Sequence, residues 1–228
     1  KFKESKNTNR FLAYKRATVS ENTYSIRTHI NPSMDILTVD DTITAYNTIV
    51  DEFLKPIIVN SIDYKVIDIV NITNDYNLNV YVFKLISEFG DKTSSLQVIN
   101  HRHETFKNYT NILNRLHGIA FNASYGQRGQ RWKDFYDFKN SILSMVDIPI
   151  ETSKYPIKKD FTYSYGLTVH KSQGSTYKNT FIDIKDILYD SRGNAYRNSS
   201  WNPYMIELRN KLLYVAFSRA SNVAYIKV

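Results

Sequence analysis

The chain has 228 residues and no cysteine, which excludes both a disulfide framework and a thiolate metal site. Histidine is scarce, five in all, and the one close pair is His101 and His103, so a metal enzyme is not expected. No apolar run approaches the roughly 20 residues that a membrane span requires, and no signal-peptide pattern opens the chain. The first residue is Lys1 rather than Met, so the expectation is a fragment or processed product, a soluble cytoplasmic piece of something larger. What is present is basic charge: the net charge is +8 and the sequence pI about 9.4. That balance favours a polyanionic partner, nucleic acid before membrane. With 42% hydrophobic residues, the chain can bury one good core, or one core and a small satellite.

Lys1 to Arg10 is polar and aperiodic and reads as an opening linker. Phe11 to Tyr14 is a short apolar strand candidate, followed by a basic turn at Lys15 and Arg16. Val19, Thr23, Ile26 and Ile30 then recur at helical spacing until Asn31-Pro32 closes the helix. Strand, basic turn and helix make one unit of a parallel α/β sheet. From Asp35 the pattern changes to short strands: Ile36–Val39, Thr42–Tyr46, Pro56–Val59, Tyr64–Val70, Leu78–Ile86 and Leu96–Ile99. Turn signals at Asn60-Ser61, Asn74-Asp75 and Gly90-Asp91 separate them, which predicts a small antiparallel barrel or ribbon. Two helical stripes follow. Phe106, Tyr109, Leu113 and Leu116 form the first, ending at Gly118; Trp132, Phe135, Tyr136, Ile142, Leu143 and Val146 form the second, stopping before Pro149.

Two stretches carry chemistry. At YGLTVHKSQGSTY (165–177), a lead-in of alternating apolar residues, Phe161, Tyr163, Tyr165, Leu167 and Val169, predicts a strand. It runs into a polar cluster with a flexible Gly174, a combination suited to holding phosphates. Around LLYVAFSRA (212–220), Leu208, Leu212, Val215 and Ala216 share a helical face and Arg219 sits near the end, where it suits charge stabilisation in phosphoryl transfer. Each has a plainer explanation: polar strand-to-loop turns are common, and a terminal arginine complements the helix dipole. Gly90-Asp91-Lys92-Thr93 echoes a P-loop ending without the required G-x-x-x-x-G-K-[ST], a string found nowhere in the chain. Gly126-Gln127-Arg128-Gly129 has the shape of a KH backbone clamp without its surroundings, and reads as a basic loop touching nucleic acid. His101 and His103 read as a surface strand end.

LTVHKSQGSTY resembles motif V of superfamily 1 helicases, and LLYVAFSRA resembles their motif VI. RFLAYKRATVSENTYSIRTHINP is similar to the segment that opens the second RecA-like domain of superfamily 1B helicases. The middle of the chain looks like the SH3-like insertion of the RecD and phage Dda type, the Dda type being closest. IIVNSIDYKVIDIV matches its first strand, with Asn60-Ser61 where Asn-Gly is usual. FNASYGQRGQRWKDFYDFKNSILSM matches its basic loop and Trp-x-x-Phe helix.

The resemblance implies an α/β fold: a RecA-like parallel sheet with helices (1–46 and 151–228), interrupted by a small β-rich, SH3-like subdomain plus helices (47–150). The implied function is that of the C-terminal part of an ATP-dependent DNA helicase that translocates 5′→3′ on single-stranded DNA. Arg219 would be the catalytic arginine finger, and Gln173, Gly174 and Arg219 would face the nucleotide. Lys15, Arg16, Thr18, Asn22, Thr168, His170, Lys171 and Ser172 would hold DNA. ATP and Mg²⁺ would be bound mainly by the first RecA-like domain, which this chain lacks, so the fragment alone is expected to be inactive. Implied partners are single-stranded DNA, that N-terminal domain of the same protein and replication proteins, with no membrane; a phage-encoded protein would work in the host cytoplasm. Two alternatives remain. One is a non-motor single-stranded nucleic-acid-binding module, which suits the +8 charge and the 18 tyrosines available for base stacking. The other is an interaction domain docking through Tyr125, Trp132, Phe135 and Tyr136.

Overall fold

The computed structural model describes residues 9–50, 55–189 and 203–227. The chain divides into two compact units, Lys1–Pro32 with Tyr163–Val228, and Ser33–Thr162. In chain order, the first unit opens with β1 (Asn9–Ala13) and α1 (Arg16–Ile30). The second carries β2 (Thr42–Ala45), β3 (Ile49–Val50), β4 (Pro56–Ile58), β5 (Asp63–Thr73), β6 (Asn79–Ser87) and β7 (Leu96–Ile99). It ends with α2 (Phe106–Asn122), α3 (Tyr125–Ser141) and β8 (Phe161–Tyr163), whose last residue crosses the boundary. The first unit resumes with β9 (Gly166–Thr168), β10 (Tyr177–Asp183), α4 (Ile184–Leu188), α5 (Pro203–Ser218) and β11 (Ala220–Lys227).

The first unit is a parallel sheet in the order β11-β10-β1-β9. All five residues of β1 are buried, as expected of a strand with neighbours on both edges and helices on both faces. Alternation along it feeds two cores. Leu12 packs with Val169, Ile182, Leu212 and Ala216, beneath α5; Phe11 and Ala13 pack with Val19 of α1. The described part of the expected linker is structural: Asn9 and Arg10 are buried in β1, with Asn179 Nδ2 donating to Asn9 Oδ1 at 2.8 Å and the Arg10 guanidinium 5.1 Å from the Tyr177 ring centre. Lys1 to Thr8 lie outside the described residues.

The second unit is built on a five-stranded sheet, β7-β6-β5-β2-β8, with β2–β5, β5–β6 and β6–β7 antiparallel; β3 and β4 form a separate antiparallel pair. The β5–β6 hairpin turns at Asn74, whose Oδ1 accepts the amides of Tyr76 and Leu78, with Asn77 at φ 55°. Helices α2 and α3 bury Tyr109, Leu113, Phe135 and Phe138 against Leu78, Val80 and Ile99. The Tyr109 hydroxyl donates to the Ile142 carbonyl at 2.7 Å, and burial pushes its ionisation far above the ordinary tyrosine range. The Lys139 ammonium meets Asp160 at 2.6 Å, in a pair whose side chains are 13% and 1% exposed.

Several expectations give way here. The boundary of the inner unit falls at 33 and 162 rather than 47 and 150, because β2 pairs with β5 and not with the parallel sheet. Ile36–Val39 is irregular, a bend at Ile36 leading to a turn at Val39, and not a strand; Ile36 and Leu37 are apolar because both are buried. The single strand expected over 161–169 is two strands in different sheets, β8 and β9, split at Ser164-Tyr165. Helix α2 continues past Gly118 to Asn122, and the second helix begins earlier than its apolar stripe and stops at Ser141. Gly126–Gly129 is helix, not loop. His101 to His103 is a turn rather than a strand end. No helix among the described residues is long and apolar enough to cross a membrane.

Candidate nucleotide and nucleic-acid site

The register of the parallel sheet sets the site. Ala13 lies beside Thr168, and the Val169 amide donates to the Ala13 carbonyl at 2.9 Å. The chain therefore leaves β1 and β9 at the same edge, the carboxyl edge where open α/β sheets bind ligands. Tyr14 and His170 mark that adjacency, their ring centres 5.8 Å apart. Lys15, Arg16 and Thr18 at the mouth of α1 are thus brought beside Thr168 and His170.

Two of these side chains are already engaged by a residue that the sequence did not single out. Asp186, on α4, accepts the Tyr14 and Lys15 amides at 2.7 and 2.6 Å and the Thr18 hydroxyl at 2.7 Å. The Lys15 ammonium lies 3.4 Å from the same carboxylate and donates to the Tyr189 carbonyl at 3.3 Å. Asn22 is turned onto its own helix, donating to the Thr18 carbonyl at 2.8 Å, and its Oδ1 accepts from Lys227 at 3.4 Å. Arg16 is exposed. Arg27 of the same helix is buried, 5.6 Å from the Tyr163 ring centre.

From Thr168 the loop 169–176 crosses β1 to reach the start of β10, because β9 and β10 are parallel and flank β1. Its first turn is tight. The Ser172 amide donates to the carbonyls of Thr168 and Val169, and the Ser172 hydroxyl, fully buried, donates to the Val169 carbonyl at 2.7 Å. Ser172 therefore shapes the turn from inside, while His170, Lys171, Gln173 and Gly174 are exposed. Gly174 has φ 89°, a conformation that disfavours any side chain with a Cβ.

Arg219 meets this loop at its far end. Its Nη1 donates to the Ser175 carbonyl at 3.0 Å, its Nη2 to the Ser218 hydroxyl at 2.9 Å, and its Nε to the Val215 carbonyl at 3.3 Å. The Arg219 carbonyl in turn accepts the Tyr177 amide at 2.8 Å. The guanidinium carries five N–H donors; the bonds made among the described residues use one on each terminal nitrogen, and a guanidinium's paired N–H groups suit phosphate oxygens. The two motif-like stretches are thus joined at Ser175, whereas Thr168 stands at the opposite end of the crossing. Between loop and α5 lies a cleft of about 500 Å³, lined by His170 and Gln173 on one side and Leu208, Lys211, Leu212 and Tyr214 on the other. Glu207 borders it; hydrogen bonding to the Lys211 ammonium at 2.6 Å, then its charge, holds that carboxyl below the usual range.

Sequence reasoning missed Asp186 and Ser175. Neither has a local signature: Asp186 acts across the fold on residues near the start of the chain, and Ser175 contributes only a backbone oxygen.

No protein-family model matches the chain, and no curated protein matches it in sequence. Among solved structures it is similar to Pif1 helicase from Candida albicans, at 14% identity and TM-score 0.45, covering 97% of this chain and 45% of that one. It is similar also to Pif1 helicase from Bacteroides in complex with ADP-AlF3 and ssDNA, at 13% identity and TM-score 0.43, covering 96% and 40%. A third is Bacteroides Pif1 bound to ssDNA, at 14% identity and TM-score 0.45, covering 97% and 41%. The chain spans less than half the length of each.

Proposed function

We propose that this chain is the second motor domain, with its inserted subdomain, of an ATP-dependent superfamily 1B helicase that moves 5′→3′ along single-stranded DNA. In the finer reading the inserted unit is SH3-like, as in the RecD and Dda type. The observation that carries the proposal is the hydrogen bond from Arg219 to the Ser175 carbonyl, which ties the motif VI helix to the motif V loop. A cation held at that loop moves with it. In the whole protein, nucleotide would sit between this domain and a P-loop domain, and Arg219 would stabilise charge on the transferring phosphoryl group. Gln173 and Gly174 would border the nucleotide. Arg16, His170 and Lys171 would contact the strand backbone, with Lys15, Thr18, Asn22, Thr168 and Ser172 shaping those positions or joining them.

ATP is the substrate in this reading, and this chain supplies half of its surroundings. Mg²⁺ would be held mainly by the P-loop domain; among the described residues of this chain, no group of three or more His, Asp or Glu could hold a metal ion.

The test is single-stranded-DNA-stimulated ATPase of the complete gene product, wild type against Arg219→Ala. The expected loss is about 10³- to 10⁵-fold in rate, with DNA binding kept. An unchanged rate, or a complete product without ATPase, overturns the motor reading.

A further inference from the structure

The first two turns of α3 are unlike the rest of the second unit. Every residue from Tyr125 to Arg131 is exposed, so no core contact holds this part of the helix in place. Two glycines weaken it further, and the fold does not require them: a Cβ at Gly126 or Gly129 would meet nothing within 4 Å. The composition, YGQRGQR, holds two arginines and no acid. A helical segment that buries nothing and gives up helix propensity is better explained by something that lands on it.

Helical spacing puts Tyr125, Arg128, Gly129, Trp132 and Tyr136 on one face. Tyr125 is 98% exposed and Tyr136 52% exposed, and the Trp132 and Tyr136 rings lie 5.9 Å apart, tilted by 31°. Helix α2 extends the same surface. Its Phe121, 53% exposed, lies parallel to His117 with ring centres 6.4 Å apart, and His117 meets the edge of Trp132 at 5.1 Å. Arg128 Nη2 donates to the Phe121 carbonyl at 3.2 Å, which ties a guanidinium of α3 to the end of α2. Of the two arginines, Arg131 is partly neutralised by Asp134 at 3.4 Å; Arg128 has no acidic neighbour among the ion pairs of the described residues.

We infer that the outer face of the α2–α3 hairpin binds a single strand of nucleic acid, stacking bases on Tyr125 and Phe121 and drawing a backbone phosphate to Arg128. Exposed rings and a cation on one surface are what sequence-tolerant single-strand binders combine. The bare backbone at the glycines leaves room for a sugar–phosphate chain to approach the helix. An exposed stretch, Tyr125 to Arg131, with two arginines and no acid of its own favours a polyanion over an ordinary protein partner. The inference goes beyond the motor reading and uses none of its residues.

The test has two readouts on the full chain. Photo-crosslinking to 5-iodouracil-substituted oligothymidylate is expected to label the peptide carrying Tyr125 or the one carrying Phe121. In titrations at low salt, the Tyr125→Ala, Phe121→Ala double variant is expected to bind labelled oligothymidylate about five- to a hundredfold more weakly. Tyr125→Phe, which keeps the ring, should bind as wild type, and so should Tyr155→Ala, a control at an exposed tyrosine of the same unit. Because Tyr125 and Phe121 are exposed, their removal should leave thermal unfolding unchanged. Wild-type affinity in the double variant, or crosslinks confined to other peptides, overturns the inference and leaves the face to a protein partner. The motor reading fails separately, on the ATPase of Arg219→Ala.

Discussion

The carboxylate of Asp186 accepts the hydroxyl of Thr18 at 2.7 Å and with it closes the mouth of α1. Lys15, the N-cap residue, makes no side-chain cap hydrogen bond, so the helix takes its cap from α4. An anion at a helix N-terminus also complements the helix dipole, and this one replaces any the solvent would provide. Removing it strands the Tyr14 and Lys15 amides and the Thr18 hydroxyl together. Asp186→Ala is expected to lower stability by about 3 kcal/mol, read as a lower urea midpoint with an unchanged m-value. The hydrogen bonds carry this figure rather than the ion pair, since the Lys15 side chain is 35% exposed. A loss under about 0.5 kcal/mol, the range of neutral surface changes, would show that water replaces the carboxylate.

Gly166 opens β9 where α1 crosses closest. A Cβ built there would lie 2.6 Å from Thr23 Oγ1 and 3.3 Å from the Phe11 carbonyl oxygen. Thr23 is itself buried, with its hydroxyl unpartnered, so it has little room to withdraw. Gly166→Ala is expected to cost about 1–3 kcal/mol as overpacking. Adding Thr23→Ala should recover part of that loss, because it removes the nearest atom and no hydrogen bond. Additive losses in the double variant would place the strain at Phe11 instead.

These two contacts mark the limit of what the sequence discloses. The strand–turn–helix at Phe11–Ile30 and the hairpin strands from Asp63 to Ile99 are legible because each follows a local period. Ser172 reads as a phosphate ligand in the string HKSQG, yet its hydroxyl is buried and donates to the Val169 carbonyl. Asp186 lies in a stretch that carries no motif, yet it organises Tyr14, Lys15 and Thr18. Local pattern fixes where a side chain sits along its element; which way it faces at the end of a strand depends on a neighbour distant in sequence. The break at Ser164-Tyr165 is hidden for the same reason: apolar alternation continues from Phe161 to Val169 although the two halves join different sheets.

His101 supplies a pH dependence. It packs edge-on against Phe106, with ring centres 6.4 Å apart, and its Nδ1 is buried without a hydrogen-bond partner. Burial, and secondarily the Arg102 charge, lower its pKa from 6.5 to about 4. Between those values the unfolded chain binds a proton that the folded chain does not, so stability rises with pH across that window and falls on acidification. Unfolding followed from about pH 7 down to pH 4.5 should show this loss, and His101→Leu should flatten it. His117, also lowered by burial, should retain a smaller slope of the same sign. An equal slope in wild type and His101→Leu would assign the acid sensitivity elsewhere.

Lys171 and Ser172 are neighbours whose substitution should separate contact from scaffolding. Lys171 is exposed at the turn, whereas Ser172 is buried beneath it. If the turn lies on a phosphate backbone, Lys171→Ala removes one cation from the contact. Affinity for single-stranded DNA should then fall by a similar factor for every sequence, and the slope of log K against log salt should shrink by about 0.7, the value for one phosphate contact on a single strand. Ser172→Ala deletes a hydroxyl that donates only to the Val169 carbonyl. Its effect should be a modest loss of stability, about 1 kcal/mol, with the salt slope unchanged because no charge is removed. The measurement is a set of anisotropy titrations across salt concentrations with oligothymidylate and a mixed-sequence strand. An unchanged slope for Lys171→Ala takes the ammonium off the phosphate track, and a sequence-dependent loss would mean that it reads bases rather than backbone.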